Sequence, residues 1–384
     1  MAHCAHHLLT ALPTPLLIFI RDEFQLSYTR ASFVTSTFAL ANGTGQLPAG
    51  FLADRIGPRI LLMVGIIGVA GAGILVGISQ TYIMLLVFLV LMGLLAGGYH
   101  PASAPMISSA VEPNQRGRAL GFHLIGGNAG FALAPIIGAA IAAKWDWRAS
   151  FIGMAIPTVI FGLIFFVFLT RQYGKMRADS ARNKLTEDKP PPPGNVRRLI
   201  VFLTMSVLGG GTSMSVTSFL ALYAHDILGI SEQTASSLLT ILFTAGVLAS
   251  PLGGYISDRV GRLPIIITCS LISGILVFSV QFASLGVTFG AILLLMGINN
   301  AFRMPSSEAF IMAQTSSRYR STIYGVYYFT MQYTGAVFAP IMGYLIDHPA
   351  SGFNNGFAFC FTIAGTTTVI VTLICSLFLR GSQE

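Results

Sequence analysis

Two ionisable residues lie five positions apart in one apolar run, Arg303 and Glu308, and three histidines crowd another, His3, His6 and His7. An arginine stays charged and grips a carboxylate, phosphate or phosphonate through its planar fork. A glutamate at membrane depth can carry a proton, and histidine titrates near neutral pH. His3, His6, His7, Thr10 and Thr14 recur at spacings of three and four, so most share one helix face. That stripe suits a proton relay, and it equally suits hydrogen bonds between helices. His3 and His7 are spaced for a metal ion, but no third ligand lies nearby in the sequence, so no metal site is expected. Arg303 and Glu308 point about 140° apart on an ideal helix, which disfavours an ion pair unless Pro305 bends the run. Tyr99-His100-Pro101 closes a Gly-rich stretch, and His123 reads as a structural hydrogen bonder. Tyr327 and Tyr328 add bulk with polar tips to a further run.

These residues matter because of what surrounds them. Of 384 residues, 54% are hydrophobic and only 9% charged, with a mean hydropathy of +0.74. A water-soluble domain carries about 25% charged residues. About twelve runs reach the roughly 20 residues that span a bilayer, and their backbone must be satisfied internally, so they are helices. The spans read 2–20, 29–52, 59–79, 83–109, 118–143, 149–170, 199–224, 233–255, 264–283, 287–313, 321–346 and 357–379, numbered helix 1 to helix 12. The polar segment 171–198, with Pro190 to Pro193, is a linker between a six-helix half (1–170) and a second (199–384). Cys4, Cys269, Cys360 and Cys375 show no disulfide or metal spacing and read as packing residues. The first run has no basic leader, so no cleavable signal peptide is expected.

The chain repeats itself. Gly50-Phe51-Leu52-Ala53-Asp54-Arg55-Ile56-Gly57-Pro58-Arg59 returns as Gly254-Tyr255-Ile256-Ser257-Asp258-Arg259-Val260-Gly261-Arg262, 204 positions on. At that offset Asp22 meets Asp226, Ser27 meets Ser231, and Tyr99-His100-Pro101 meets Arg303-Met304-Pro305. Six helices per repeat make the halves parallel, related by an axis along the membrane normal. Of the 22 Lys and Arg, 17 fall in the loops on one side and in the linker, four on the other side, and Arg303 within a helix. The positive-inside rule then puts both termini and the linker in the cytoplasm. It also accounts for the net charge of +8 without a nucleic-acid partner. In the repeated turn, Gly57 and Gly261 permit a tight bend. Asp54 and Asp258 favour a nearby helix N-terminus, while Arg55, Arg59, Arg259 and Arg262 hold the loops to one face. Both a gating role and simple anchoring fit these residues.

Twelve helices in two parallel halves, with Gly-x-Leu-Ala-Asp-Arg-x-Gly-x-Arg between helices 2 and 3, resemble the major facilitator superfamily over the whole chain. Tyr99-His100-Pro101 together with Gly126-Gly127-Asn128-Ala129-Gly130 resembles its fosmidomycin-resistance, drug–proton antiporter branch. Ala134-Pro135-Ile136-Ile137-Gly138 resembles the Gly-Pro motif of antiporters. That branch carries His-x-x-Asn-Asp in helix 1, where this chain has His3-Cys4-Ala5-His6-His7. The resemblance implies helices 1, 4, 7 and 10 around a central cavity, with His100 and Arg303 facing it from opposite halves; Tyr99, Asn128, Tyr327 and Tyr328 are further substrate candidates, and the tyrosines equally suit anchoring at the interface. It also implies Asp54 against the start of helix 11 near Ser321, and Asp258 against helix 5. Glu308, His3, His6 and His7 are then the candidates for proton coupling.

The expectation is an all-α polytopic secondary transporter working by alternating access, without a cofactor. It would be a monomer in the cell inner membrane, with a small-molecule substrate and protons or another ion as partners. No P-loop is present, so ATP does not drive it directly. Proton-coupled export of a small organic, amphipathic or anionic compound leads. Uptake or exchange of a small organic anion, and a non-transporting sensor or scaffold, are the alternatives.

Overall fold

The computed structural model describes residues 1–110, 116–182, 194–284, 287–315 and 320–379. Helix 2 is Tyr28–Ile56 and helix 3 runs from Pro58 to Gly77 through a π turn at Val64–Gly68. Helix 5 is Arg116–Lys144 and helix 6 is Trp147–Arg182. Helix 8 is Glu232–Val260, helix 9 Arg262–Ser279 and helix 10 Val287–Ala313. Helix 11 is Arg320–Asp347 and helix 12 is Gly356–Leu379.

Three predicted helices are broken. Helix 1 forms Ala2–Thr10 and Leu17–Phe24, with turns between. Pro13 and Pro15 cause this, since each lacks the amide hydrogen of an interior helical bond and crowds the carbonyl four residues back. Helix 7 forms Asn195–Met205, a π turn at Ser206–Gly210, Gly211–Thr217 and then Leu220–Asp226. Its break at Ser218–Phe219 is the repeat counterpart of the break in helix 1. Helix 4 forms Tyr82–Ala96 and Tyr99–Ala110, parted at Gly97–Gly98 just ahead of His100. Gly97 has helix 2 pressed against it, a Cβ there meeting the Gly45 carbonyl carbon at 2.6 Å. Helix 6 also runs twelve residues past its predicted end at 170, into the segment read as linker.

Among the described residues, helices 3, 4, 5, 6, 7, 9, 10 and 12 are apolar and long enough on their own to cross a membrane. Helices 2 and 11 are as long, at 29 and 28 residues, but more polar, and helix 8 also has 29 residues. Packing explains this. Helix 2 lies against helix 11 and helix 8 against helix 5, so both seams join one half to the other. A face turned to protein and cavity tolerates polar residues that a lipid face does not. Within the halves, the pairings of helix 2 with 4 and 3 with 6 recur as 8 with 10 and 9 with 12.

The repeated turn has one geometry in both halves. Gly57 has φ 87° and Gly261 φ 100°, a region that penalises any Cβ. Arg59 packs its guanidinium 5.5 Å from the Phe166 ring, and Arg259 lies 4.5 Å from that of Tyr255. The side chains of Asp54, Asp258 and Ser321, and hence the two capping contacts expected of them, lie outside the described residues. All four cysteines are free thiols, three of them buried.

One tie within the first half has a pH signature. Glu23, past the predicted end of the first span, accepts from Arg148 Nη2 at 2.7 Å, Arg148 Nη1 at 2.8 Å and Trp147 Nε1 at 2.6 Å. The Arg148 hydrogen bonds hold its carboxyl below the usual range, against a smaller opposing effect of burial. A depressed carboxyl contributes stability in full above its unfolded value and loses it as pH falls through the folded one. Below the ordinary Glu value of 4.5 the wild-type melting temperature is therefore expected to fall faster than that of Glu23→Gln. Scanning fluorimetry in detergent across pH 3–6 checks this, and parallel curves would remove Glu23 from the account.

Candidate functional site

The broken helices bring four histidines together. His3, His6 and His7 project from the first piece of helix 1, and His100 opens the second piece of helix 4. The His100 ring centroid lies 5.3, 5.5 and 5.3 Å from those of His3, His6 and His7. His123 of helix 5 stacks on His3 at 4.0 Å, and its backbone carbonyl, rather than its ring, makes the hydrogen bond expected of it. Tyr99 stacks on His6 at 4.3 Å and is only 1% exposed. It therefore backs the histidines here instead of lining open space.

Small residues make this crowding possible. A Cβ on Gly127 would meet the His3 ring at 2.4 Å, and one on Gly130 would meet the Cys4 carbonyl oxygen at 2.6 Å. The Gly-Gly-Asn-Ala-Gly segment is thus the bed into which helix 1 presses its histidine face. Asn128, between these glycines, is half-buried. The π turn of helix 3 serves the same end, because the Gly65 carbonyl accepts from His6 Nδ1 at 2.7 Å.

The hydrogen bonds fix the tautomers. A backbone carbonyl only accepts, so His3 Nδ1 donates to His123 O at 2.8 Å and His6 Nδ1 donates to Gly65 O. Thr10 spends its hydroxyl proton on His6 O at 3.1 Å, so His7 Nδ1 must donate to Thr10 Oγ1 at 3.0 Å. The Nε2 atoms of His3, His6 and His7 all keep lone pairs. Those of His3 and His7 face each other at 3.0 Å, and that of His6 is buried without a hydrogen-bond partner.

The second half holds Arg303 and Glu308, and among the described residues no ion pair joins the two. Arg303 Nε donates to Ser270 Oγ at 3.1 Å and Nη2 to Ser206 Oγ at 3.5 Å. Gly210, in the π turn of helix 7, lies 3.3 Å from Nη2 measured from an added Cβ, so the Gly run makes room for the guanidinium. Among the described residues Arg303 belongs to none of the three ion pairs. The Glu308 carboxylate accepts a short hydrogen bond from the Tyr328 hydroxyl of helix 11. Tyr327 is buried against Phe202 of helix 7 at 5.8 Å. His100 and Arg303, repeat neighbours expected to face one another, each make their contacts among the described residues within their own half.

A polar cluster between the halves was not anticipated beyond the Asp22–Asp226 repeat. At the arginine-poor end Arg21 bridges both repeat partners. It donates to Asp22 Oδ1 at 2.6 Å and grips Asp226 with both terminal nitrogens. Tyr28 Oη donates to Asp226 at 2.7 Å. Asp347, ending helix 11, caps helix 2 by accepting from the backbone of Tyr28 at 3.0 Å and Thr29 at 2.8 Å, and from the Thr29 hydroxyl at 2.5 Å. Arg21, Asp22, Tyr28, Asp226 and Asp347 line a hollow of about 480 Å³.

The family model described as Major Facilitator Superfamily matches residues 1–231 and 201–384. A multidrug resistance protein, MdtG, of Klebsiella pneumoniae is 25% identical over 338 residues, 86% of this chain and 79% of that one. Its namesake in Citrobacter koseri is 27% identical over 317 residues, 82% of this chain and 76% of that one. Two solved structures share the fold. One is a bacterial homolog of the human lysosomal transporter Spinster, inward-facing and unoccupied (TM-score 0.74, 18% identity, 98% of this chain and 94% of that one). The other is a POT family transporter in complex with 5-aminolevulinic acid (TM-score 0.78, 14% identity, 98% and 94%).

Proposed function

The chain belongs to the Major Facilitator Superfamily, and from that premise we propose that it is a proton-coupled exporter of small amphipathic or anionic organic compounds. The observation that carries export is the likeness along most of the chain to multidrug resistance proteins. It works as a monomer in the inner membrane, with both termini and the linker in the cytoplasm, as the 17-to-4 division of Lys and Arg supports. The halves 1–170 and 199–384 rock about a midplane site where helices 1 and 7 break at repeat-related positions. On this orientation the Arg21, Asp226 and Asp347 cluster closes the outer end, and the protein is held inward-facing.

In this reading Glu308 carries the coupling proton and Arg303 meets anionic groups of the substrate. Inside-out vesicles with an imposed pH gradient test the whole. Proton-driven accumulation of a lipophilic dye or drug is expected. Accumulation confined to right-side-out vesicles would turn the reading to uptake.

Arg303 carries its own prediction. It is held by two hydroxyls, so the guanidinium keeps donors for a carboxylate or phosphonate. A hydrogen bond to a charged group contributes about 1.5–3 kcal/mol. Arg303→Gln is expected to weaken binding of anionic substrates by roughly 10- to 100-fold on that scale, while neutral ones change little. Equal losses for both classes, measured by equilibrium binding in detergent, would make Arg303 a structural residue.

A further inference from the structure

We propose that His3, His7 and His100 form a binding site for a single first-row transition-metal ion of the imidazole-preferring class, such as Zn²⁺, Co²⁺ or Ni²⁺. In the sequence His3 and His7 lack a third ligand nearby. The fold supplies it from helix 4. One ring nitrogen each of His3, His7 and His100 lie within 4.8 Å of one another.

Three independent features point the same way. The first is donor geometry. The Nε2 atoms of His3 and His7 are 3.0 Å apart. At metal–nitrogen lengths of about 2.0–2.1 Å, that separation subtends roughly 91–97°, which a slight parting of the two rings opens to the tetrahedral angle of about 109°. The second is tautomer. A ligating histidine normally donates its other ring N–H to a carbonyl or similar acceptor, which fixes the ring and raises the basicity of the free nitrogen. His3 does this to the His123 carbonyl and His7 to Thr10, so both Nε2 lone pairs are turned toward each other. Two facing lone pairs repel unless a proton or a metal ion lies between them. The third is the cradle. Gly127 and Gly130 bring helix 5 against His3 and His7, and Tyr99 backs the group. An all-imidazole donor set favours zinc, copper, nickel or iron over magnesium or calcium. With three protein nitrogens the ion keeps at least one position open, and His100, the partly exposed member of the group, lies on the accessible side.

The test uses the full-length protein in detergent, purified without a histidine tag. Titration with Zn²⁺ by calorimetry, and with Co²⁺ by visible d–d absorption, is expected to give one tight equivalent. His7→Gln and His100→Gln should each weaken it by at least on the order of 100-fold, because removing even an outer partner of a ligand typically costs 10- to 100-fold. Thr10→Val keeps every ligand and alters only the His7 hydrogen bond. It should weaken the site by 10- to 100-fold on the same scale, which covers the case of ligand variants that fold poorly. His348→Gln, on a distant loop, should change nothing. The absence of a bound equivalent in the wild type would overturn the assignment, as would full retention in a His3→Gln, His7→Gln, His100→Gln triple variant. An equivalent lost in His225→Gln but kept in His100→Gln would place the ion at the other clustered group, Asp22, His225 and Glu232, and would equally overturn it.

Discussion

Glu308→Gln is expected to abolish proton-driven accumulation, to the level of vesicles lacking the protein, while substrate binding survives. A carboxylate at the centre of a membrane helix costs about 2.5–3.5 kcal/mol on insertion scales; Glu308, five residues from the end of helix 10, costs less than that but still needs a partner or a task. One partner is Tyr328, whose hydroxyl donates to Glu308 from helix 11 across to helix 10. Glutamine keeps the shape and an acceptor for that phenol, so packing between the two helices is preserved. What it loses is the ability to take up and release a proton. Counterflow, in which labelled substrate exchanges for unlabelled without a gradient, should therefore continue in Glu308→Gln. Tyr328→Phe keeps the carboxyl and removes the donor, and should reduce accumulation without abolishing it. If Glu308→Gln accumulates substrate normally under a pH gradient, the coupling proton travels elsewhere and this assignment fails.

How much of this was legible beforehand depended on whether the information was local. The repeated turn was, because Gly57 and Gly261 carry their positive φ in their own sequence context. The twelve spans were as well, since apolar runs of membrane length have few alternatives. The break in helix 1 was signalled by Pro13 and Pro15, yet the run stays apolar through them, and hydropathy alone joins the pieces. Helix 4 hid its break the same way at Gly97–Gly98. The third histidine was unreadable for a different reason. His100 lies more than ninety residues from His3 and His7, and only the packing of helices 1, 4 and 5 brings it to them. Charge counting had likewise used Arg21 as a topology marker. Its two-nitrogen grip on Asp226, 205 residues away, comes from the packing of one half against the other. Ion pairs that form in one state of a moving protein leave little trace in its sequence.

That last point leads to the other large effect expected, on the balance between states. Asp347→Ala should open the arginine-poor end, and Asp347→Ala with Asp226→Ala should open it further. Asp347 receives three hydrogen bonds from the start of helix 2, two of them from amides that have no partner inside the helix. Asp226 receives the Arg21 fork and the Tyr28 hydroxyl. Every one of these bonds to Asp226 and Asp347 crosses between the halves, so every one must break when they part at that end. Loss of a charge-assisted hydrogen bond costs about 1.5–3 kcal/mol. Water reaches these groups once the end opens, which favours the lower figure for each acidic residue. A shift of about 1.4 kcal/mol is a tenfold change in the equilibrium between states. Each single variant is then expected to raise the open population roughly tenfold, and the two shifts should nearly add, because the acids hold different donors. A cysteine at Leu26, buried beside the cluster, reports this directly. In a Cys4→Ser background, its reaction with a membrane-impermeant maleimide should quicken about tenfold per acid removed, in line with the population shift. An unchanged rate in the double variant would mean that the seam of helix 2 with helix 11 and helix 5 with helix 8 holds that end shut without these acids. A faster rate with accumulation lost would identify the cluster as the element that lets the transporter return to its inward state.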